Sequence, residues 1–338
     1  MSETKKMMFV QAINQALHIA MESDPDVICL GEDIAGGGGR VDQGIEDAWG
    51  GIMGATKGLI TKFGASRVRD TPISEMGFLG TAVGAAATGL RPVVELMFMD
   101  FLGVALDPLL NQAPKLRYMF GGKATVPLTV RTSIGAGNRA AAQHSQTLYG
   151  ITTGIPGLKT VCPSNPADAK GLLLAAIRDD SPVVFCEPKS LMFSTGQVPH
   201  GDYEIPLGKA AIVRAGTDVS IIGIGRTVAT ALDAAEALAA EGTSVEVLDL
   251  RSLQPMDEDA ILATLARTGR LVIVDEATPR CGIASDIAAL CVDRGFDLLN
   301  GPVKKVTAPH SPVPFSPVLE DAFIPSKERI LAAVRELA

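Results

Sequence analysis

Apolar residues recur along this chain with two spacings that take turns. Phe9, Ile13, Leu17 and Ala20 share one face of a helix, and Val27–Leu30 then form a short continuous apolar run, the pattern of a buried strand. The same alternation predicts strands at Arg67–Asp70, Pro92–Leu96, Val126–Arg131, Leu158–Cys162 and Pro182–Cys186. Helices are predicted at Glu75–Gly89, Val104–Tyr118 and Pro166–Arg178, the last capped by Asn165. The rhythm breaks in two places. One is a glycine-rich insertion from Gly36 to Gly58, which carries Trp49. The other is residues 187–215, where Pro188, Gly196, Pro199, Gly201, Pro206 and Gly208 read as an extended linker.

A second unit follows. Asp218–Ile224, Ser244–Asp249, Arg270–Val274 and Val303–Thr307 are predicted strands. Thr227–Ala240, residues near 257–267 and 282–294, and a last stretch from Pro325 to the end are predicted helices. Strands alternating with helices imply a parallel sheet covered on both faces. The expected fold class is therefore α/β, with two tandem doubly wound domains, residues 1–187 and 216–338, joined by a linker at 188–215.

Composition agrees. The 338 residues suit two domains, and 47 % hydrophobic residues can fill two cores. Aromatics are only 4 %, so aliphatic side chains must build those cores. A net charge of −8 argues against nucleic acid as a partner. No apolar run reaches the roughly 18 residues of a membrane span. The polar start, Met1-Ser2-Glu3-Thr4-Lys5-Lys6, has no signal-peptide core. The five cysteines are scattered without a C-x-x-C pair, which predicts reduced, buried thiols in a cytoplasmic protein.

Several motifs carry candidate chemistry. Gly223-Ile224-Gly225 sits between a strand and a helix, with Asp249 ending the next strand, as in a dinucleotide fingerprint. Val228 replaces its third glycine, and a tight β-to-α turn is the favoured reading. Gly135-Ala136-Gly137-Asn138-Arg139-Ala140 is read the same way. There is no P-loop and no zinc-binding Cys/His cluster. Glu32 and Asp33 follow a strand, and Glu75 opens a helix, where open α/β folds bind ligands. A first-turn acid also suits the helix dipole. However, Met76, Phe78 and Leu79 beside Glu75 predict burial, and a buried carboxylate must be paired or protonated. His144 lies among small and polar residues that suit the wall of a cleft, or else is a satisfied structural histidine. His18 and His200 read as bland, and His310 sits in a proline-rich loop of unassigned role.

Taken in order, Thr71-Pro72-Ile73-Ser74-Glu75-Met76-Gly77-Phe78, Gly89-Leu90-Arg91-Pro92, Ala142-Gln143-His144-Ser145, Pro156-Gly157-Leu158-Lys159 and Ala176-Ile177-Arg178-Asp179 resemble the β subunits of 2-oxoacid dehydrogenase-type decarboxylase components. The resemblance covers nearly the whole chain. The runs Asp47-Ala48-Trp49-Gly50-Gly51, Glu95-Leu96-Met97-Phe98-Met99-Asp100-Phe101 and Arg117-Tyr118-Met119-Phe120-Gly121-Gly122-Lys123 are similar to the acetoin dehydrogenase branch. The resemblance implies a thiamine-diphosphate pyrimidine-binding domain followed by a transketolase C-terminal-type domain. It implies a heterotetramer of two α and two β chains, with Mg2+ and the diphosphate held by α. The absence here of the Gly-Asp-Gly that opens such a magnesium site fits that division.

By the same resemblance, Glu75 is the carboxylate that activates the cofactor, with Met97 and Phe101 against its aminopyrimidine ring. Glu32 is a second acid near that ring, and His144 stands at the reaction cleft. A potassium ion is implied at Leu128, Ala176, Ile177, Asp179 and Ser181, although Ser181 replaces the family's Asn. The implied reaction cleaves acetoin to acetaldehyde and passes the two-carbon unit to the lipoyl group of an acyltransferase. Three rivals stand beside it: a pyruvate or branched-chain 2-oxoacid dehydrogenase β subunit, an NAD-dependent dehydrogenase using Gly223 and Gly225, and a non-catalytic assembly chain.

Overall fold

The structure is a computed structural model and describes residues 3–36 and 50–337. Most of the glycine-rich insertion, including Trp49 and the run before Gly50 on which the acetoin resemblance partly rests, lies outside the described residues.

The first half builds a seven-stranded sheet. Strand β1 (Thr4–Met8) leads into helix α1 (Phe9–Ser23), whose predicted face of Phe9, Ile13, Leu17 and Ala20 is fully buried. Then come β2 (Val27–Gly31), α2 (Leu59–Phe63), β3 (Val68–Asp70), α3 (Glu75–Ala87) and β4 (Arg91–Phe98). These are followed by α4 (Ala113–Met119), β5 (Thr129–Ile134), α5 (Tyr149–Thr153), β6 (Lys159–Val161), α6 (Pro166–Arg178) and β7 (Val183–Pro188). Asn165 caps α6 as predicted, its side chain accepting from the Asp168 N–H at 2.9 Å, with Pro166 in the first turn. Helix α6 is buried almost all round, packed against α1 in one apolar cluster. Strands β2, β5 and β7 are buried at every position, as expected of parallel strands covered on both faces.

The span 188–215, read as a linker, holds two strands. β8 (Thr195–Pro199) pairs antiparallel with β1, and β9 (Ala211–Arg214) joins the second sheet. Of β8 only Val198 is buried, so backbone pairing rather than apolar burial forms it. The second half continues with β10 (Val219–Gly223), α7 (Thr227–Ala240), β11 (Val245–Asp249), β12 (Ser252–Gln254), α8 (Glu258–Thr268), β13 (Leu271–Asp275), α9 (Ile283–Gly295), β14 (Lys304–Thr307), α10 (Pro317–Phe323) and α11 (Lys327–Arg335). Its sheet order is β14-β13-β10-β11-β9, parallel except at β9. Strand β12 leaves this domain and pairs with β6, which gives the first sheet the order β12-β6-β7-β5-β4-β2-β3. One apolar cluster, holding Val184 and Cys186 with Ile222 and Leu248, runs through both halves.

One predicted helix is interrupted. The stretch 104–118 passes through a π-helical turn at Pro108–Gln112 before α4, because Pro108 and Pro114 each remove an N–H donor. The terminal helix forms as α11, and the short α10 before it was not predicted. Four cysteines are buried as expected, but Cys281 is exposed, on a loop where its φ of 50° is left-handed. Among the described residues no helix is long and apolar enough to cross a membrane.

Candidate active site

Strand β2 pairs with β3 on one side and β4 on the other. The chain runs from β2 to β3, then crosses back to β4. This reversal leaves a crevice beyond the carboxyl ends of β2 and β4, the position where open α/β sheets hold ligands. Glu32 follows β2 directly. Gly31 lets β4 come close, since a Cβ there would stand 3.0 Å from the Glu95 Cβ. On β4 the register with β5 slips between Leu96 and Phe98, so Met97 is a bulge residue at the mouth of the crevice. Met97, Phe98 and Phe101 are all half-buried.

Glu32 is 7 % exposed, and its Oε1 is buried with no partner. Burial raises its pKa, and the nearby charges of Glu75 and Asp33 raise it further. The structure thus brings Glu32 and Glu75 together. A hollow of about 380 Å³ opens beside them, lined by Leu30, Asp70, Thr71, Ser74, Phe78 and Thr81. The Thr71 Oγ1 there is also buried and unpartnered. Asp70 fixes the loop after Glu32 by accepting from the Ala35 N–H at 2.6 Å. The expected burial of Glu75 is not found in this chain. Glu75 is half-buried, and its neighbours Ile73 and Met76 are 86 % and 58 % exposed. The apolar residues that suggested a buried carboxylate point partly outward.

His144 is half-buried against two aromatic rings. Its ring centroid lies 4.7 Å from Phe98 and 5.5 Å from Phe101, both edge to face. It therefore belongs with the β4 end of the crevice, and Phe101 and His144 meet directly. Phe98 was missed from sequence, although the run Met97-Phe98-Met99-Asp100-Phe101 held the signal. The next residue, Ser145, is buried with its Oγ unpartnered. Gln146 is tied to Asp100, whose Oδ1 accepts from the Gln146 N–H at 3.2 Å and from its Nε2 at 2.9 Å.

Below the crevice lies a buried ion triad. Arg131 on β5 donates to Glu187 on β7 at 2.7 and 3.0 Å and to Glu95 on β4 at 2.9 Å. Burial raises the Glu187 pKa, while the guanidinium pulls it down. Beside it Lys189 is also buried. Burial lowers its pKa, and its ammonium donates to the His144 carbonyl over the Phe98 ring. Charged residues inside apolar strand runs were the sequence signal for these groups, since a buried charge requires a partner.

The groups suggested for potassium already accept hydrogen bonds within the chain. The Ile177 and Asp179 carbonyls accept from Arg91 Nη1 at 3.3 and 3.4 Å. The Leu128 carbonyl accepts from Val183, and that of Ala176 from Asp179. The Asp179 carboxylate accepts from Lys159 Nζ at 2.5 Å and from the Ser181 N–H at 2.8 Å. Arg91 and Lys159 thus bring two cations to the groups suggested for the ion. The dinucleotide reading fails on space. A Cβ on Gly225 (φ +53°) would meet Cys162 Sγ at 2.7 Å and Pro188 at 3.0 Å, so this turn faces protein. Asp249 is fully buried and accepts from the Ser164 hydroxyl at 2.5 Å.

Residues 5–194 match the transketolase pyrimidine-binding domain, and residues 208–330 match the transketolase C-terminal domain. The chain is 59 % identical to the β subunit of acetoin:2,6-dichlorophenolindophenol oxidoreductase of Bacillus subtilis (strain 168), covering 96 % of this chain and 95 % of that one. It is 55 % identical to the subunit of the same name from Cupriavidus necator, covering 98 % and 97 %. Identity to the 2-oxoisovalerate and pyruvate dehydrogenase β subunits of B. subtilis is 40 %, at 98 % coverage of each chain. A solved split-gene transketolase, an inactive β4 tetramer, shares the fold with a TM-score of 0.77 over 98 % of both chains at 21 % identity.

Proposed function

The chain belongs to the β-subunit family of thiamine-diphosphate-dependent acetoin and 2-oxoacid dehydrogenases, and on that premise we propose that it is the β subunit of an acetoin-cleaving component. The observation that carries the choice of substrate is the gap between 59 % identity to an acetoin-type subunit and 40 % to a pyruvate-type one in the same organism. An α subunit supplies the rest of the site, in a tetramer of two α and two β chains. It also covers the exposed Ile73 and Met76 around Glu75. The two-carbon product passes to the lipoyl group of an acyltransferase.

The crevice fits an aminopyrimidine ring. It offers an apolar wall at Met97, Phe98 and Phe101, and carboxylates at Glu32 and Glu75 with one buried oxygen unpartnered. Thiamine diphosphate, when bound, supplies a carbon nucleophile and an electron sink for breaking a bond next to a carbonyl. Glu75 is the carboxyl that would hydrogen-bond the aminopyrimidine ring once the cofactor is bound. Burial and the charges of Glu75 and Asp33 raise the Glu32 pKa, so this acid holds its proton more tightly than a free carboxyl does. As the bond between the carbonyl and carbinol carbons of acetoin breaks, the carbinol hydroxyl must lose its proton to become acetaldehyde. We assign that proton to His144, whose ring stands against Phe98 and Phe101.

Reconstitution with the α chain tests this reading. Dye-coupled turnover should be faster on acetoin than on pyruvate or 3-methyl-2-oxobutanoate. Faster turnover of either oxoacid overturns the substrate choice.

A further inference from the structure

The loop that carries His144 is held by the other domain. It leaves β5 at Gly135, and four of its residues have left-handed backbone: Gly135 (φ +90°), Gly137 (+103°), Arg139 (+56°) and Ala141 (+60°). Two of these are not glycine, and such backbone persists only where the surroundings impose it. A turn of this kind aims its N–H groups outward, where they need acceptors. The acceptors come from the C-terminal half. Glu276, following β13, accepts from the Ala136 N–H at 2.8 Å. Glu320, on α10, accepts from the Gly137 N–H at 2.8 Å, the Arg139 N–H at 3.2 Å and Arg139 Nη1 at 2.6 Å.

Both carboxylates are buried, Glu320 completely. Arg226 braces the same turn by donating to the Ala136 carbonyl at 3.1 Å, 3.7 Å from Glu276. Ala136 itself packs with Ala308, Val313, Phe323 and Ile324 of the C-terminal domain. Gly135 is required at this point, because a Cβ there would stand 2.7 Å from Glu276 Oε2. The far end of the loop is fixed by Lys189 on the His144 carbonyl and by Asp100 on Gln146.

We propose that Glu276 and Glu320 are positioning residues for His144, so that the C-terminal domain sets the geometry of the crevice from behind. The catalytic part of this inference rests on the role given to His144 above. Replacing Glu320 by Gln leaves one acceptor oxygen for three donors, and replacing Glu276 by Ala leaves the Ala136 N–H without its acceptor. The loop then relaxes, and His144 shifts against Phe98 and Phe101.

The test uses Glu320→Gln and Glu276→Ala in the complex reconstituted with the α chain, with Asp321→Asn as control. Asp321 is exposed and touches only the Arg139 side chain. Amide hydrogen exchange over residues 135–146 should speed up in both Glu variants, with β5 and β13 still protected, and should stay unchanged in the control. Turnover should fall about 10- to 100-fold in kcat, the scale expected of a misplaced catalytic group, with KM little altered. In a His144→Ala background the same substitutions should cost nothing more. Unchanged exchange in the loop overturns the proposal, and so does a full multiplicative loss on top of His144→Ala. The two Glu variants attack the turn separately, so if one fails to fold the other decides. If His144→Ala alone leaves turnover intact, the role of His144 falls, while loop exchange still judges the anchoring.

Discussion

Replacing Arg131 by Met removes the cation of the triad and keeps most of the side chain's volume. Arg131 and Glu187 are 2 % and 3 % exposed, and the three salt-bridge hydrogen bonds between Arg131 and its two partners lie between 2.7 and 3.0 Å. Breaking a buried pair by removing one partner costs about 3–5 kcal/mol, because an uncompensated charge is left behind. At roughly 2–4 °C per kcal/mol for a domain of this size, the melting temperature should fall by about 6–20 °C. The loss should also depend on pH. The guanidinium is the group that lowers the Glu187 pKa, so without it the folded-state value climbs further above the unfolded one. A carboxyl whose folded pKa is raised contributes stability below its unfolded pKa and loses it as pH rises toward the folded value. The penalty should therefore be smaller at pH 5 than at pH 8. Thermal unfolding followed by circular dichroism at both values reads this directly. Adding Glu95→Gln and Glu187→Gln should recover part of the loss. A penalty independent of pH, or larger at pH 5, would refute the reasoning.

Three further outcomes follow from the geometry. Glu75→Gln in the reconstituted complex should cut kcat by about 10²–10⁴-fold with the melting temperature unchanged, and full activity would remove Glu75 from the chemistry. Replacing potassium salts by sodium salts should alter neither turnover nor melting temperature, since Arg91 and Lys159 already serve the carbonyls and carboxylate concerned. Burial and the neighbouring Asp168 raise the Asp249 pKa to about 7, so the folded state binds this proton more tightly than the unfolded chain does. Wild-type stability should decline between its unfolded pKa, about 3.9, and pH 7, and Asp249→Asn should flatten that decline in pH-dependent urea titrations.

Elements with a local cause were legible in the sequence. The face of α1, the Asn165 cap and the continuous apolar strands each depend on residues within a turn or two. Glu32 and Glu75 were legible for the same reason, because a residue at a strand end or helix start declares its place through its neighbours. The residue context left His144 open between a cleft and a structural role, the resemblance added Met97 and Phe101, and the structure sets His144 against Phe101. Strands β8, β9 and β12 were not legible, since they are short and form by pairing with chain far away.

The sequence by itself determined two α/β layers, their order, and the acids at the crevice, because hydrophobic period and capping are properties of neighbouring residues. Tertiary structure alone decided which charges meet. Arg131 found its two carboxylates on adjacent strands, Arg91 and Lys159 reached the carbonyl and carboxylate of Asp179, and the Gly225 turn closed against Cys162. It also decided that Glu276 and Glu320 would hold the His144 loop from the other domain. A buried polar group needs a partner, but no local pattern says where along the chain that partner lies.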